Sequence, residues 1–363
     1  TGMYFGNSDG TDPFVRGVVE ENLVLDPIGY AAQFKAQVPR PRVNGMPTGQ
    51  SVTLIRHNVF MKRSGASTGS DARPNLLVGS FPPSGDGSTD RYEIYGNFLY
   101  QNQSGSEPLF QGDGNFAFHH NVLFNSLGPA MFIQNLDGPP KAIDVFDNTI
   151  VASGLGVRIV GVDPSFEQRV VGNAIFAAAP LEGGDARDNV TGSFADATRT
   201  FVNASEQLGS LDLHPRAGML GASAVDRSAF AAYVDGDRDF DGVAQAATAR
   251  GAYSGAAPSS AWRLAAERKV LDGVPPPPDA GVQQDAAADA SAETDAGATD
   301  AGQLDAGAPT DAAAPDAELA DDAGSKPRGG TAGGCSCNDG ASSAPSWLAL
   351  GGALLFWVRR RRR

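Results

Sequence analysis

Only two cysteines occur in the 363 residues, Cys335 and Cys337, and both lie close to the C-terminus. Their absence elsewhere excludes a disulfide scaffold and any cysteine-built metal cluster in the body. Positive charge is also scarce, with 28 basic against 42 acidic side chains and a net charge of -14. Without a basic face the chain is not expected to bind nucleic acid. No long stretch carries sustained helical periodicity, which excludes a helix bundle. The sequence opens on Thr1-Gly-Met-Tyr-Phe-Gly6. That hexapeptide reads as the interior of a fold, so an N-terminally truncated sequence is expected.

Three zones are present. Residues 1–270 are rich in glycine, with aromatic and β-branched residues in short runs. Residues 271–334 open with Pro275 to Pro278 and repeat Asp-Ala-Gly units. Between Leu271 and Ser325 there are 13 acids and no lysine or arginine. Having almost no large apolar side chains, this zone cannot offset chain entropy by burial, and it reads as a disordered acidic linker. Residues 335–363 hold Cys335-Ser-Cys337, an apolar run from Trp347 to Val358, and five arginines, Arg359 to Arg363. The run is short for a membrane span of about 30 Å. Ala344, Pro345 and snorkelling arginines extend it to a short transmembrane helix.

The body repeats itself. Apolar residues, a polar residue, Asn, and further apolar residues recur at Asn22, Asn58, Asn97, Asn121, Asn148 and Asn173, with a degenerate copy at Asn189. The spacings are 36, 39, 24, 27, 25 and 16 residues. A period in the twenties signals stacked repeats that bury their apolar residues only against neighbours. The expected unit is strand, one-residue bend at Asn in the left-handed region, strand. The side-chain amides are expected to bond from coil to coil as a ladder. The predicted fold is all-β, a right-handed parallel β-helix. A leucine-rich repeat is excluded, because Leu does not recur at fixed offsets.

Two family resemblances follow from these motifs. The body, from about Val18 to Ala252, resembles right-handed parallel β-helix proteins of the superfamily that includes pectate lyases and chondroitinase B. In that light Leu211 to Gly218, Asp239 to Gly242 and Arg250 to Tyr253 look like the closing cap, with a short helix at Trp262 to Lys269 over its end. The tail resembles the MYXO-CTERM sorting signal. This implies export, processing by a sorting protease near Cys335 (or Cys337), and a cell-surface or outer-membrane protein, membrane-anchored through its tail or released.

The β-helix resemblance implies polysaccharide as the partner. Gly29 to Lys35 is similar in position to the strand carrying the catalytic lysine in chondroitinase-B-type lyases. The paired Glu ligands of those enzymes are here Ala31, Ala32 and Gln33, and their Arg-His-Gly is here within Leu76 to Ser80. Lys35, Arg56 and Glu107 are the catalytic candidates; a lyase needs a carboxylate neutraliser, a base and an acid. Gln33, Lys35, Gln111, Gln134 and Arg158 are the candidates for substrate contact, and Gln111-Gly-Asp113 adds a carboxylate. His57, His119 and His120 precede ladder Asn residues and read as turn residues, and His214 as structural. Asp237, Asp239, Asp241 and Gly242 imitate the start of a calcium loop, but the twelfth position is Thr248 rather than Glu, so no cofactor is expected, with Ca²⁺ at these three carboxylates as the alternative. Three functional readings stay open: a surface polysaccharide binder, a lyase or hydrolase of uronate-containing glycans, and a structural surface protein.

Overall fold

A computed structural model describes residues 1–259 and 261–271. The linker, Cys335, Cys337 and the apolar tail lie outside the described residues. No helix among the described residues is long and apolar enough to cross a membrane.

Each coil of the chain lays down three short parallel strands. Face I stacks Val18–Glu20, Val52–Arg56, Arg91–Tyr95, Phe116–His119, Ile143–Phe146, Gln168–Val171 and Asp185–Arg187 as a seven-stranded sheet. Face II stacks Leu23–Leu25, Val59–Met61, Phe98–Tyr100, Val122–Asn125 and Val190–Gly192 with the first parts of Thr149–Ile159 and Ala174–Glu182. Face III stacks Met3–Phe5, Ala32–Phe34, Leu76–Val78, Phe110–Gly112 and Met131–Ile133 with the second parts of those same two strands. The two long strands turn the corner without a break. Their pairing shifts between Ala152 and Leu155, which joins faces II and III into one 12-stranded sheet. The architecture is a parallel β-solenoid.

Alternation decides the interior. On face I the residue three before each Asn points inward, giving Ile55, Ile94, Phe118, Val145 and Val170. On face II the residue two after it does so, giving Phe60, Leu99, Leu123, Ile150 and Ile175. With Phe34, Val78, Phe110 and Met131 of face III they form one continuous core. In-register stacking sets like residues over like, so each coil is stabilised only by its neighbours.

The Asn ladder forms as expected. Each Asn Nδ2 donates to the Oδ1 of the Asn one coil on, at 2.9–3.1 Å from Asn22 through to Asn189. The backbone N–H of each Asn donates to that same oxygen. One expectation needs correction. The left-handed residue is not the Asn but the residue before it: Glu21, His57, Gly96, His120, Asp147, Gly172 and Asp188, with φ between 50° and 69°. The Asn can then aim its amide along the stack while its predecessor makes the bend. Gly172 is there for space as well as for φ, because an added Cβ would sit 2.5 Å from Asp147 Oδ1.

The expected cap is the second correction. After Gly192 the chain forms a single helical turn at Ala197–Thr200 and an antiparallel pair, Phe201–Asn203 with Asp212–Pro215. It then returns along the sides of the solenoid as a strap. Arg250 bonds the last coil at Asp188, Arg227 holds Asp147, Lys269 reaches the Gly96 carbonyl, and Arg268 reaches Glu21 of the first described Asn corner. The antiparallel pair and the strap together seal the apolar outer row of face II, where Phe98, Phe124 and Phe176 pack with Phe201, Phe240 and Leu264. Residues 262–269 form no helix, and Ala186 and Thr191 at the end of the stack stay exposed. Apolar outer rows demand such a cover, whereas the small and polar last coil does not. His214, bonded to its near neighbour Asp212 (2.7 Å), ties the antiparallel pair to the strap at Asp241 (2.8 Å). Burial opposes its charge, but the two carboxylates hold its pKa above the usual value.

Candidate functional site

Face III is the side the strap leaves bare. Its outer row, read through the strand register, is Tyr4, Gln33, Leu77, Gln111, Phe132, Arg158 and Glu182. Gln33, Gln111 and Arg158, candidates for substrate contact from the sequence, therefore stand on one line. Gln134 does not join it: Phe132 takes that place, and Gln134 sits two residues on. There it neighbours Lys35, Gly79 and Asp113 in a second outward row, tied by the ladder bonds Gly79 N–H to Phe34, Asp113 N–H to Val78 and Gln134 N–H to Gly112. Arg158 is drawn toward Glu182 (3.2 Å) and lies 5.9 Å from the Phe132 ring centre.

Beside the second row the loops leaving face III enclose a groove of about 580 Å³. Lys35, Gln37, Ser80, Lys141 and Phe166 contribute to its walls, together with the carboxylates Asp9, Asp137 and Asp163. The described residues contain four lysines. Lys62 and Lys269 are buried, Lys62 caged by Ser67 Oγ (3.1 Å) and the carbonyls of Arg73 and Pro74. Burial pushes its pKa down to about 7. The other two, Lys35 and Lys141, both line the groove, and neither makes an ion pair or hydrogen bond among the described residues. Gln37 donates to Tyr92 Oη (3.3 Å), and its Oε1 is buried without a partner.

Asp113 shapes the groove from below. It is fully buried, and its Oδ2 accepts the N–H of Asp137 (2.9 Å) and of Gly138 (3.1 Å), which line the groove. Its Oδ1 has no partner. Burial outweighs those two donors and raises its pKa to about 7. The folded state thus binds this proton more tightly than the unfolded chain, where the value is near 3.8. The associated stability is present in acid and lost as pH rises through about 7. Asp113→Asn keeps an acceptor for both N–H groups and removes the ionisation. We expect it to stabilise the protein at pH 8 by an amount on the order of 3 kcal/mol, and to change little at pH 4. Urea unfolding of both proteins across that range measures the difference. A gain that is the same at every pH would dismiss the charged carboxylate as its source.

The three catalytic candidates do not converge. Arg56 lies on face I, paired with Glu20 (2.5 Å) and donating to Tyr95 Oη (3.0 Å). Glu107 sits in the loop between faces II and III, where burial raises its pKa against the pull of Arg73 and Lys62. Only Lys35 faces the groove. The calcium candidates are committed elsewhere. Asp239 accepts the N–H groups of Asp241, Val243 and Ser254, Asp241 binds His214, and Asp237 is exposed. No group of three or more metal-ligating side chains comes together among the described residues. Sequence reasoning missed Gln37, Lys141 and Phe166, which stand in loops of unequal length; the scarcity of lysine was the available signal.

The stacked coils, the Asn ladder and the bare face define a parallel β-solenoid with a groove beside face III. No family model, curated protein or solved structure matches the chain.

Proposed function

We propose that this is an exported, cell-surface-anchored protein, a right-handed β-helix of the pectate-lyase-like type, that binds an anionic polysaccharide along face III. The acidic spacer and the sorting-type tail would display it, and the groove would hold the ligand. The observation that carries the reading is the convergence, among the described residues, of both unburied lysines on one groove of an otherwise acidic chain. Unpaired ammonium groups attract carboxylate or sulfate, the flanking Gln side chains offer both donors and acceptors, and Tyr4 and Phe132 offer apolar faces to sugar rings. A lyase or hydrolase is the less favoured reading, since Arg56 and Glu107 lie away from Lys35.

Affinity electrophoresis of the full-length chain through alginate, pectin, chondroitin sulfate and neutral dextran tests this. Retardation should be confined to the polyanions and should weaken with salt. Lys35→Ala with Lys141→Ala should reduce affinity about 10-fold or more, corresponding to about 1.4 kcal/mol. Equal retention by dextran, or full retention by the double variant, would refute the assignment. Release of unsaturated uronate products would instead establish the lyase.

A further inference from the structure

We propose that residues 225–259 and 261–271 form an acid-released strap over the outer rows of faces I and II. The fastening point is a cluster of histidines beneath it. His57 and His120 occupy left-handed corners, and His119 lies between them in the outer row of face I, stacked on Tyr95 (4.9 Å) and Phe146 (4.6 Å). The strap continues the stack, with Phe230 against Phe146 at 4.1 Å. His57 Nδ1, His119 Nε2 and His120 Nε2 are buried without any partner. The one side-chain hydrogen bond His119 and His120 make among the described residues is to each other, Nδ1 to Nδ1 at 2.9 Å. An imidazolium needs an acceptor for each ring N–H, and the closed strap supplies none.

The charged groups around the cluster add to this. Lys269 and Arg227 of the strap and Arg56 of face I disfavour further positive charge on His57 or His120. Asp235, Arg238 and Asp239 line the small space beside His57 and His120. Asp235 accepts from Tyr95 Oη (3.1 Å), and Asp239 is held by the strap's own N–H groups and moves with them. Tyr233, stacked 6.3 Å from His119, donates to Asp144. Asp147 Oδ2 lies 3.7 Å from His120 Nε2 but is occupied by Arg227 at 2.6 Å.

Burial depresses His57 to about 2 and His119 to about 3, and it takes His120 well below its usual value. Once uncovered, each titrates near 6.5. Closure therefore holds fewer protons than opening, and it is favoured above pH 6.5 and weakened progressively below it. Asp147 works in the opposite sense, because burial raises it to about 6 against the pull of Arg227. Three histidines against one carboxyl leave a net uptake of about two protons on opening, or about 100-fold in the opening equilibrium per pH unit between about 6 and 4. Buried Lys269, also depressed, acts in the same direction as the histidines at higher pH.

Amide hydrogen exchange on the full-length chain, corrected for the intrinsic pH dependence, reads the strap directly. Between pH 6 and 4, protection in residues 225–240 and 262–271 should fall about 100-fold per unit, while the Asn-ladder amides of residues 121–148 stay protected. His119→Phe keeps the stack and removes one titrating ring, and His120→Asn suits its left-handed corner. Together these changes should abolish the pH dependence, and circular dichroism at pH 7 verifies that the variant is folded. His119→Phe alone, the milder change, should reduce the slope by about one proton. Strap protection that does not change with pH in the native chain, or a native slope that survives in either variant, would overturn the proposal.

Discussion

Asn121→Ala is expected to destabilise the protein by more than about 4 kcal/mol, against about 1 kcal/mol for Asn22→Ala. The fully buried Asn121 amide reaches Asn148 Oδ1, the His119 carbonyl and the Ile94 carbonyl at 2.8–3.1 Å. Its own Oδ1 accepts both the N–H and the Nδ2 of Asn97 at 2.9 Å. Truncation strands these groups where water cannot reach them, and each orphaned buried group costs about 1–3 kcal/mol. Asn22 is partly exposed and ends the described ladder, so water takes over its bonds. Guanidinium unfolding midpoints of the two variants make the comparison. Equal, small losses would mean that the ladder decorates the corner rather than holding it.

Arg227→Leu should cost about 3–5 kcal/mol, because it leaves the fully buried Asp147 carboxylate without its cation. Arg227 donates to both oxygens of Asp147, at 2.6 and 2.8 Å, and its remaining donors reach the carbonyls of Ala247 and Ala249. Adding Asp147→Asn, which also tolerates the left-handed corner, should restore most of the loss. The single variant should recover in acid, since a protonated Asp147 no longer needs a counter-charge and its pKa already stands high at about 6. Thermal unfolding of the wild type, both single variants and the double variant closes the cycle. A double variant as weak as Arg227→Leu would assign the loss to packing instead of charge.

The solenoid was readable because the ladder repeats one residue type at one place. Asn marks the corner in every coil, and apolar residues three before and two after it mark the interior. The bend residue was not readable, because Glu, His, Gly and Asp all serve there and share only a backbone angle. The destination of the strap was hidden for another reason. Its bonds join residues far apart in sequence, Arg227 to Asp147 and Asp235 to Tyr95, and no local pattern announces such pairs. On face III, Gln33, Gln111 and Arg158 share one outer row, but corner length varies. That is why Phe132 displaced Gln134 from it.

Spacings between ladder positions range from 16 to 39 residues while the strands of face I keep exact register. Growth and loss of sequence are thus confined to the corners, and the column behaves like a spine with interchangeable vertebrae. A complete revolution can be spliced in or cut out with repair needed only where the strap crosses. Half a revolution would turn the interior outward and leave a gap in the chain of amides.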